Sequence, residues 1–301
     1  MRRIGLVVHP TRGIESPLAA VMDWAAQRDV EVVQLEGGDH DRVVAPSGDV
    51  DSCDLIVAIG GDGTVLTALR AAALTSTPVL GVAWGSLGAL SAVKADELPR
   101  ALDMFDSGEW TPRHIPALNV TVDGRPAAWA INDLVLVRRG VGQLIVDVTV
   151  ADELYARLAG DGVVVATGLG SSAYSMAAGG PIVVTGTNAF VVTPLVIHGG
   201  CAPPLVVDSG LEVKLEAHPS FGGFDVEVDG HVEQVDGAQF SVRLTEAKAT
   251  LVAVRDTGLG LTALRQRGLI VDSPRVLARD ARVEREERDR LQSAPGRITP
   301  E

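Results

Sequence analysis

The feature that most constrains the fold is a continuous apolar run at residues 55–59 (Leu-Ile-Val-Ala-Ile) that leads directly into residues 60–64 (Gly-Gly-Asp-Gly-Thr). An uninterrupted apolar run of this length is typical of a parallel strand that is covered on both faces. Apolar residues at helical spacing follow from about Val65 to Leu74. The glycine-rich segment is therefore predicted to be the turn between a buried strand and a helix, as in an α/β layer.

The rest of the first 114 residues repeats this alternation. Apolar runs predict three further strands, at residues 4–8, 30–35 and 79–83. Ser16 followed by Pro17 predicts the start of a helix, with Ser16 as its cap. We therefore expect residues 1–114 to form a Rossmann-like α/β domain that contains the glycine-rich turn.

The pattern changes after residue 114. Short alternating or β-branched runs, separated by Asp-Gly pairs, predict strands joined by tight turns. The runs lie at residues 118–122, 144–150, 225–229 and 251–254. We expect residues 115–255 to form an antiparallel β-sandwich-like domain. Alternating charges over residues 275–290 predict a solvated helix, and residues 256–301 are expected to complete the first domain.

Composition limits the partners and the compartment. The chain has 39 Asp and Glu against 26 Lys and Arg, a formal net charge of −13, which disfavours binding to nucleic acid or to an anionic membrane. The first apolar run is too short for a signal peptide, and no stretch reaches roughly 18 uninterrupted apolar residues. Cys53 and Cys201 are isolated from each other and from histidine pairs, which argues against a zinc site or a disulfide framework. We expect a soluble cytoplasmic protein.

The glycine-rich turn has the chemistry of a phosphate site. Its three glycines would let a polyphosphate approach the main chain, and the helix N-terminus presents N–H groups without helical partners. No lysine follows a glycine in the chain, so this is not a Gly-Lys-Ser/Thr phosphate loop. A carboxylate beside phosphates is repelled unless it binds Mg²⁺ or accepts a proton from an attacking hydroxyl, so Asp62 indicates phosphoryl transfer. Alternatively, Asp62 is only a helix cap in a tight turn.

The pentapeptide resembles a motif of a kinase superfamily that contains the NAD kinases, the diacylglycerol and sphingosine kinases and the 6-phosphofructokinases. Further segments, in the same order along the chain, resemble the NAD kinases in particular. They are residues 77–90, with Leu-Gly-Val and Gly-Ser-Leu-Gly; residues 130–136, with Asn-Asp; residues 161–183, with Gly-Ser-Ser-Ala-Tyr-Ser and Ala-Gly-Gly-Pro; and residues 193–207, with Thr-Pro and a histidine. About residues 55 to 230 are thus similar to the NAD kinase family.

This resemblance implies a two-domain kinase that uses ATP and Mg²⁺ to phosphorylate the 2′-hydroxyl of the adenosine ribose of NAD(H). It implies that ATP places its phosphates at Gly61, Gly63 and Thr64, that Mg²⁺ is held through those phosphates, and that Asp62 helps to deprotonate the hydroxyl. The implied dinucleotide contacts are Asn132 and Asp133 to ribose hydroxyls; Ser172, Ala173 and Tyr174 to the rest of the dinucleotide; and Asp161, which would reach a pocket of a neighbouring subunit. It also implies a homo-oligomer, a dimer or tetramer, that associates through the β domains.

Two alternatives stay open at this point. Ala83, Ala89 and Pro203 stand where the family has larger or charged residues, and each such exchange removes a hydrogen bond or a filled volume, about 1 to 3 kcal/mol where buried. The first alternative is therefore a kinase of the same fold that acts on another small-molecule hydroxyl. The second is a noncatalytic NAD(H)-binding regulatory protein, against which Asp62 argues because a sensor needs no base.

Overall fold

The computed structural model describes residues 1–36, 42–83, 88–91, 93–184, 186–255 and 261–293. Its first layer alternates strands and helices, as the apolar pattern predicts. The strands are β1 (Arg3–Val8), β2 (Glu31–Gln34), β3 (Leu55–Gly60), β4 (Val79–Ala83) and β5 (Val93–Lys94). The helices are α1 (Glu15–Ala26), α2 (Asp62–Ala72) and α3 (Leu98–Asp106). All pairings among these strands are parallel, with β3 between β1 and β4.

Helices cover both faces of this parallel sheet. On one face, α1 and α3 pack against alternate residues of β3. The residues that meet there include Val21, Trp24, Leu102, Leu55, Val57 and Ile59. On the other face, α2 packs through Val65 and Leu69 against Ile56 and Ala58 of β3. This two-sided cover explains why the β3 segment is apolar throughout.

The second layer is a β-sandwich. Its strands are β6 (Thr111–Val122), β7 (Arg125–Ala130), β8 (Asp133–Arg138), β9 (Leu144–Val150), β10 (Glu153–Gly160), β11 (Gly162–Thr167), β12 (Ala189–Leu195), β13 (Leu205–Asp208), β14 (Val213–Pro219), β15 (Phe224–Val228), β16 (His231–Glu233) and β17 (Gln239–Ala253). One sheet has the order β13-β12-β11-β8-β15-β16. It packs against β6, β9, β14 and β17 of the other sheet around a core that includes Leu136, Val165, Phe190, Leu215 and Val242.

The long strand β17 joins the two layers. It pairs antiparallel with β14 near its start and with β6 along most of its length, and near its end Leu251 also pairs in parallel with Val79 of β4. One hydrogen-bonded sheet therefore continues from the sandwich into the parallel layer. The predicted boundary between residues 114 and 115 falls within β6, and the division into domains stays a prediction.

Two helix starts differ from the sequence expectation. Helix α1 begins at Glu15 after Ile14, which makes no side-chain cap, so the prediction of Ser16 as the cap is wrong. Helix α2 begins at Asp62 rather than near Val65. Asp62 is favourable in a first turn because its charge opposes the positive end of the helix dipole, so apolar spacing alone places this start too late.

Three further helices complete the described chain. A short helix, α4 (Tyr174–Ala177), lies within the sandwich layer, and the C-terminal part contains α5 (Leu261–Gln266) and α6 (Pro274–Ser293). Helix α6 confirms the helix predicted from the alternating charges. Residues 84–87, which belong to the segment 77–90 that resembles the NAD kinases, lie outside the described residues, as do residues 294–301. Among the described helices, none is long and apolar enough to cross a membrane.

Candidate active site

The glycine-rich turn lies at the carboxyl end of β3, where ligands commonly bind in open α/β sheets. Gly61 is the N-cap residue of α2, and Asp62, Gly63 and Thr64 form its first turn. The first N–H groups of a helix have no partner one full turn earlier; here the Thr64 N–H donates instead to the Gly61 carbonyl at 3.0 Å. A Cβ built on Gly63 would meet no atom of the described chain within 4 Å. The turn therefore presents backbone donors beside open space, as a phosphate site requires.

The carboxylate of Asp62 is held from two directions. Oδ2 accepts a hydrogen bond from the Ala89 N–H at 3.1 Å, and Oδ1 accepts one from the Leu90 N–H at 3.2 Å. Arg267 donates from Nη1 to Oδ2 at 2.9 Å. The Asp62 side chain is still 27% exposed. Asp62 is thus fixed in orientation while part of its carboxylate remains open to a ligand.

Close packing around Asp62 requires glycine at position 88. A Cβ there would lie 1.9 Å from Oδ1 of Asp62, so any other residue would displace the carboxylate from its hydrogen bonds to the Ala89 and Leu90 N–H groups. On the far side of the same segment, Arg113 donates from Nη1 to the Ala89 carbonyl at 3.3 Å. The segment after β4 is therefore held between Arg113 and Asp62. This close contact explains the glycine at position 88, near the end of residues 77–90.

The loop after β1 reaches the same edge of the sheet. The His9 N–H donates to the Ile59 carbonyl at 2.9 Å, and Nδ1 of His9 accepts the Arg12 N–H at 3.1 Å. The Arg12 side chain is directed to the turn, since its Nη1 would lie 3.8 Å from a Cβ on Gly61. Arg12 thus places a positive charge beside the N-terminus of α2.

A second polar cluster surrounds Asn132 and Asp133, at the start of β8. The buried carboxylate of Asp229 accepts the N–H groups of Ile131, Asn132 and Asp133 at 3.1, 2.6 and 3.2 Å. Arg70 of α2 donates to Asp229 at 3.2 Å. Arg70 follows Asp62 by eight residues, so the two clusters lie roughly 12 Å apart along the α2 axis.

Asp133 has an unusual electrostatic environment. Its residue is only 5% exposed. Burial, followed by the charges of Asp229 and Glu227, raises the pKa of Asp133 to about 7. Near neutral pH this carboxyl group exists in both forms, and it can accept a hydrogen bond from a ligand hydroxyl or donate one to it.

The glycine- and serine-rich segment lies directly against Asn132. A Cβ on Gly170 would lie 2.0 Å from the Asn132 carbonyl oxygen, so only glycine permits this approach. Thr167 anchors the start of the segment by donating from Oγ1 to the Ile131 carbonyl at 2.6 Å and accepting the Gly170 N–H at 3.0 Å. The structure thereby brings residues 170–174 together with Asn132 and Asp133.

Ser172, Ala173 and Tyr174 follow this contact. Ser172 donates from Oγ to the Leu169 carbonyl at 3.3 Å, and Ala173 is the N-cap residue of α4. Tyr174 is 42% exposed. Burial, then the charges of Glu227, Asp161 and Asp133, raises the pKa of Tyr174, so its hydroxyl remains a hydrogen-bond donor at neutral pH.

Tyr174 and Asp161 line one cavity of about 590 Å³. Arg138 lies on the same wall and donates from Nε to Oδ1 of Asp161 at 2.5 Å. Leu195 and Val196 add apolar surface. A cavity with an aromatic face, a charged pair and apolar walls matches the usual composition of a small-molecule site.

Several residues that build these clusters carry no sequence signal for that role. The sequence places Asp229 only in an Asp-Gly turn, an interpretation that its φ of 52° also supports, yet its side chain organises residues 131–133. Arg70 and Arg267 have no local pattern that distinguishes them from other arginines. Their partners lie 159 and 205 residues away, so only tertiary contact could identify them.

The residues present at the turn fit a triphosphate. The N-terminus of α2 and Arg12 supply donors and positive charge, while Gly63 leaves space. Among the described residues, the group of three potential metal ligands is Asp147, Glu216 and His218 on β9 and β14. Because Arg157 already binds Asp147 through two nitrogens, this group is occupied by an internal ion pair.

Family models match both parts of the chain. Residues 4–110 match the ATP-NAD kinase N-terminal domain, and residues 131–255 match the ATP-NAD kinase C-terminal domain. The chain is 33% identical over 264 residues to an NAD kinase of Heliobacterium modesticaldum, covering 84% of this chain and 93% of that protein. It is 29% identical over 271 residues to an NAD kinase of Desulforamulus reducens, covering 86% and 94%.

Solved structures share the fold. A yeast NADH kinase complexed with NADH aligns with a TM-score of 0.74 and 21% identity, covering 91% of this chain and 89% of that one. An NAD kinase from Archaeoglobus fulgidus in complex with ATP aligns with a TM-score of 0.68 and 21% identity, covering 85% and 94%. The predicted combination of an α/β layer with an antiparallel β-sandwich is therefore confirmed.

Proposed function

This chain belongs to the ATP-NAD kinase family, and from that premise we propose that it transfers the γ-phosphoryl group of ATP to NAD(H). The acceptor is the 2′-hydroxyl of the adenosine ribose, and the products are NADP(H) and ADP. The observation that carries the proposal is the position of Asp62, a partly exposed carboxylate in the first turn of α2 beside an open glycine.

The reaction needs a phosphate site and a base next to each other. The triphosphate of ATP binds at the N-terminus of α2, with Gly61, Gly63 and Thr64 in contact with its phosphates. The ribose 2′-oxygen attacks the γ-phosphorus, its proton passes to Asp62, and the bond to the ADP oxygen breaks. Mg²⁺ would be held through the phosphates and would supply positive charge to the transferred group.

The dinucleotide binds across the second cluster. Asn132 and Asp133 hold ribose hydroxyls, and the mixed protonation of Asp133 near pH 7 suits a diol that both donates and accepts. Ser172 and Ala173 contact the dinucleotide through the segment held against Asn132 by Gly170. Tyr174 supplies an aromatic face and Asp161 a charge in the adjoining cavity.

The proposal extends to the assembly and the compartment. We propose a homo-oligomer, a dimer or tetramer, that associates through the β-sandwich and in which Asp161 contributes to a neighbour's pocket. We propose a cytoplasmic location, which the free thiols of Cys53 and Cys201 support. The net charge of −13 supports the absence of nucleic acid and anionic membranes among its partners.

A single assay tests the activity. The purified full chain is incubated with Mg-ATP and NAD, NADH or no acceptor, and ADP and NADP(H) are measured separately. We expect ADP and phosphorylated dinucleotide in equal amounts. ADP formed only with another alcohol would identify a kinase with a different acceptor. Tight NAD(H) binding without ADP formation would identify a noncatalytic regulator, and either result would overturn the proposal.

A further inference from the structure

We propose that Arg267 is a catalytic residue that binds the transferring phosphoryl group, and that Arg12, in the loop after β1, binds the same triphosphate. This inference rests on the proposed function, because it assigns further residues to the same phosphate site. It adds the C-terminal segment around α5 to the active site.

Geometry places Arg267 at the reacting end of the site. Its Nη1 lies 2.9 Å from Oδ2 of Asp62, the carboxylate that accepts the proton in the proposed reaction. Arg12 lies beside Gly61, one residue before Asp62, with Nη1 3.8 Å from the Cβ position. The two guanidinium groups thus approach the first turn of α2 from the loop after β1 and from the C-terminal segment.

Electrostatics require cations at this position. A triphosphate brings several negative charges next to Asp62, and the turn has no lysine of its own. A guanidinium group is always charged and binds phosphate oxygens through two parallel hydrogen bonds. Of the other arginines near this layer, Arg42 is bound to the His9 and Arg12 carbonyls, Arg70 to Asp229 and Glu233, and Arg113 to the Ala89 carbonyl. Arg12 and Arg267 therefore lie where they can meet the phosphates.

The contact with Asp62 explains how Arg267 changes partners. The side chains of Arg267 and Asp62 are 34% and 27% exposed, and ion pairs with that exposure are weak. A phosphate group with more than one negative charge competes for the guanidinium. When Arg267 binds the phosphate, Oδ2 of Asp62 loses this partner.

The segment that positions Arg267 is itself held in place. Leu264 of α5 is buried at 6% exposure. Arg265 binds Asp272 through two nitrogens, at 2.9 and 2.5 Å, and so closes the chain between α5 and α6. The burial of Leu264 restricts the position of Arg267, three residues later, as a group that acts on a transition state requires.

Binding of inorganic tripolyphosphate and of Mg-ATP, measured by calorimetry on the full chain, tests the proposal without requiring turnover. We expect Arg267→Ala and Arg12→Ala each to weaken both ligands at least about tenfold, the effect of one charge-assisted contact. Arg279→Ala is the matched control, because Arg279 lies on exposed α6 and pairs with its neighbour Asp280. Its affinities should equal those of the unmodified chain.

Turnover distinguishes a catalytic from a structural role. We expect Arg267→Ala to lower kcat for NAD phosphorylation at least about a hundredfold, since arginines that stabilise transferring phosphoryl groups have effects of this size or larger. Arg267→Lys should recover part of the loss, and millimolar guanidinium should partly rescue Arg267→Ala. A structural role would not respond to guanidinium.

The outcomes separate this inference from the proposed function. If Arg267→Ala binds tripolyphosphate and Mg-ATP as tightly as the unmodified chain, or if its turnover is unchanged or higher, the inference is wrong. If the unmodified chain does not phosphorylate NAD(H) but loses tripolyphosphate affinity on Arg267→Ala, the proposed acceptor is wrong and the phosphate contact is retained.

Discussion

Arg70 lies on α2, the helix that begins at the phosphate turn, and binds Asp229, the carboxylate that holds residues 131–133. Nη1 of Arg70 lies 3.2 Å from Oδ2 of Asp229, whose side chain is fully buried. The same arginine also binds Glu233 and lies over the ring of Trp129. The positions of the two clusters are therefore coupled through one side chain.

Arg70→Met should destabilise the protein, because it leaves the buried Asp229 carboxylate without its positive partner. We expect the free energy of unfolding to fall by about 3 kcal/mol, the lower end of the range for breaking a buried pair, because Asp229 keeps its three backbone hydrogen bonds. Denaturant unfolding measures this. Arg139→Met, which breaks the exposed pair with Asp225, is the control and should change stability little. Equal losses of stability in the two variants would contradict the role of Arg70 as the partner of the buried Asp229 carboxylate.

Asp62→Asn tests the proposed base. The amide retains the size of the carboxylate but cannot accept the proton, so turnover should fall at least about a hundredfold while nucleotide affinity largely persists. Enzyme kinetics and calorimetry measure the two effects. Asp54→Asn is a geometric control, because Asp54 also accepts two backbone N–H groups, those of Arg2 and Arg3. Unchanged kcat in Asp62→Asn would refute a role as base.

Gly63→Ala separates ligand approach from folding. The added methyl group meets no atom of the described chain within 4 Å, and alanine is the better helix former, so stability should stay equal or rise by up to about 1 kcal/mol. The methyl group would occupy the space proposed for phosphate, and affinity for Mg-ATP should fall at least about tenfold. Thr67→Ala, one turn later in α2, should leave the affinity unchanged. Normal ATP binding by Gly63→Ala would place the phosphates elsewhere.

Asp133→Asn should stabilise the protein in a pH-dependent manner. Because the folded-state pKa of Asp133 is raised from 3.8 to about 7, the stability contribution of its protonated form is complete below about pH 4. That contribution is lost as the pH rises through 7. The full loss is of the order of 4 kcal/mol at about 1.36 kcal/mol per pH unit. The variant should therefore exceed the unmodified chain most at about pH 8 and least near pH 4.

Thermal or denaturant unfolding at several pH values checks this prediction. Asp225→Asn provides a control of opposite sign, because Arg139 lowers the pKa of Asp225. Asp225 contributes stability above its unfolded pKa, and that contribution is lost as the pH falls. If Asp133→Asn lowered stability in the alkaline range, the burial of an uncompensated carboxyl group at this position would be refuted.

The α/β layer and the phosphate turn can be predicted because their signals are local. The apolar run of β3, the glycines after it and the helical spacing of α2 each depend on residues close together in the chain. Apolar spacing places the start of α2 too late, since a helix N-terminus rich in glycine has no apolar periodicity. Strands with alternating residues, such as β9, are predictable for the same local reason.

The sequence by itself determined the alternation of strand and helix around the turn and the residue types at the turn, because periodicity and backbone freedom are properties of short segments. Tertiary structure alone decided that Asp229 holds residues 131–133, that Gly170 lies against Asn132, and that Arg267 reaches Asp62 across 205 residues. Such contacts depend on how separate elements pack, and no local pattern specifies which distant partner a buried carboxylate or an arginine will meet.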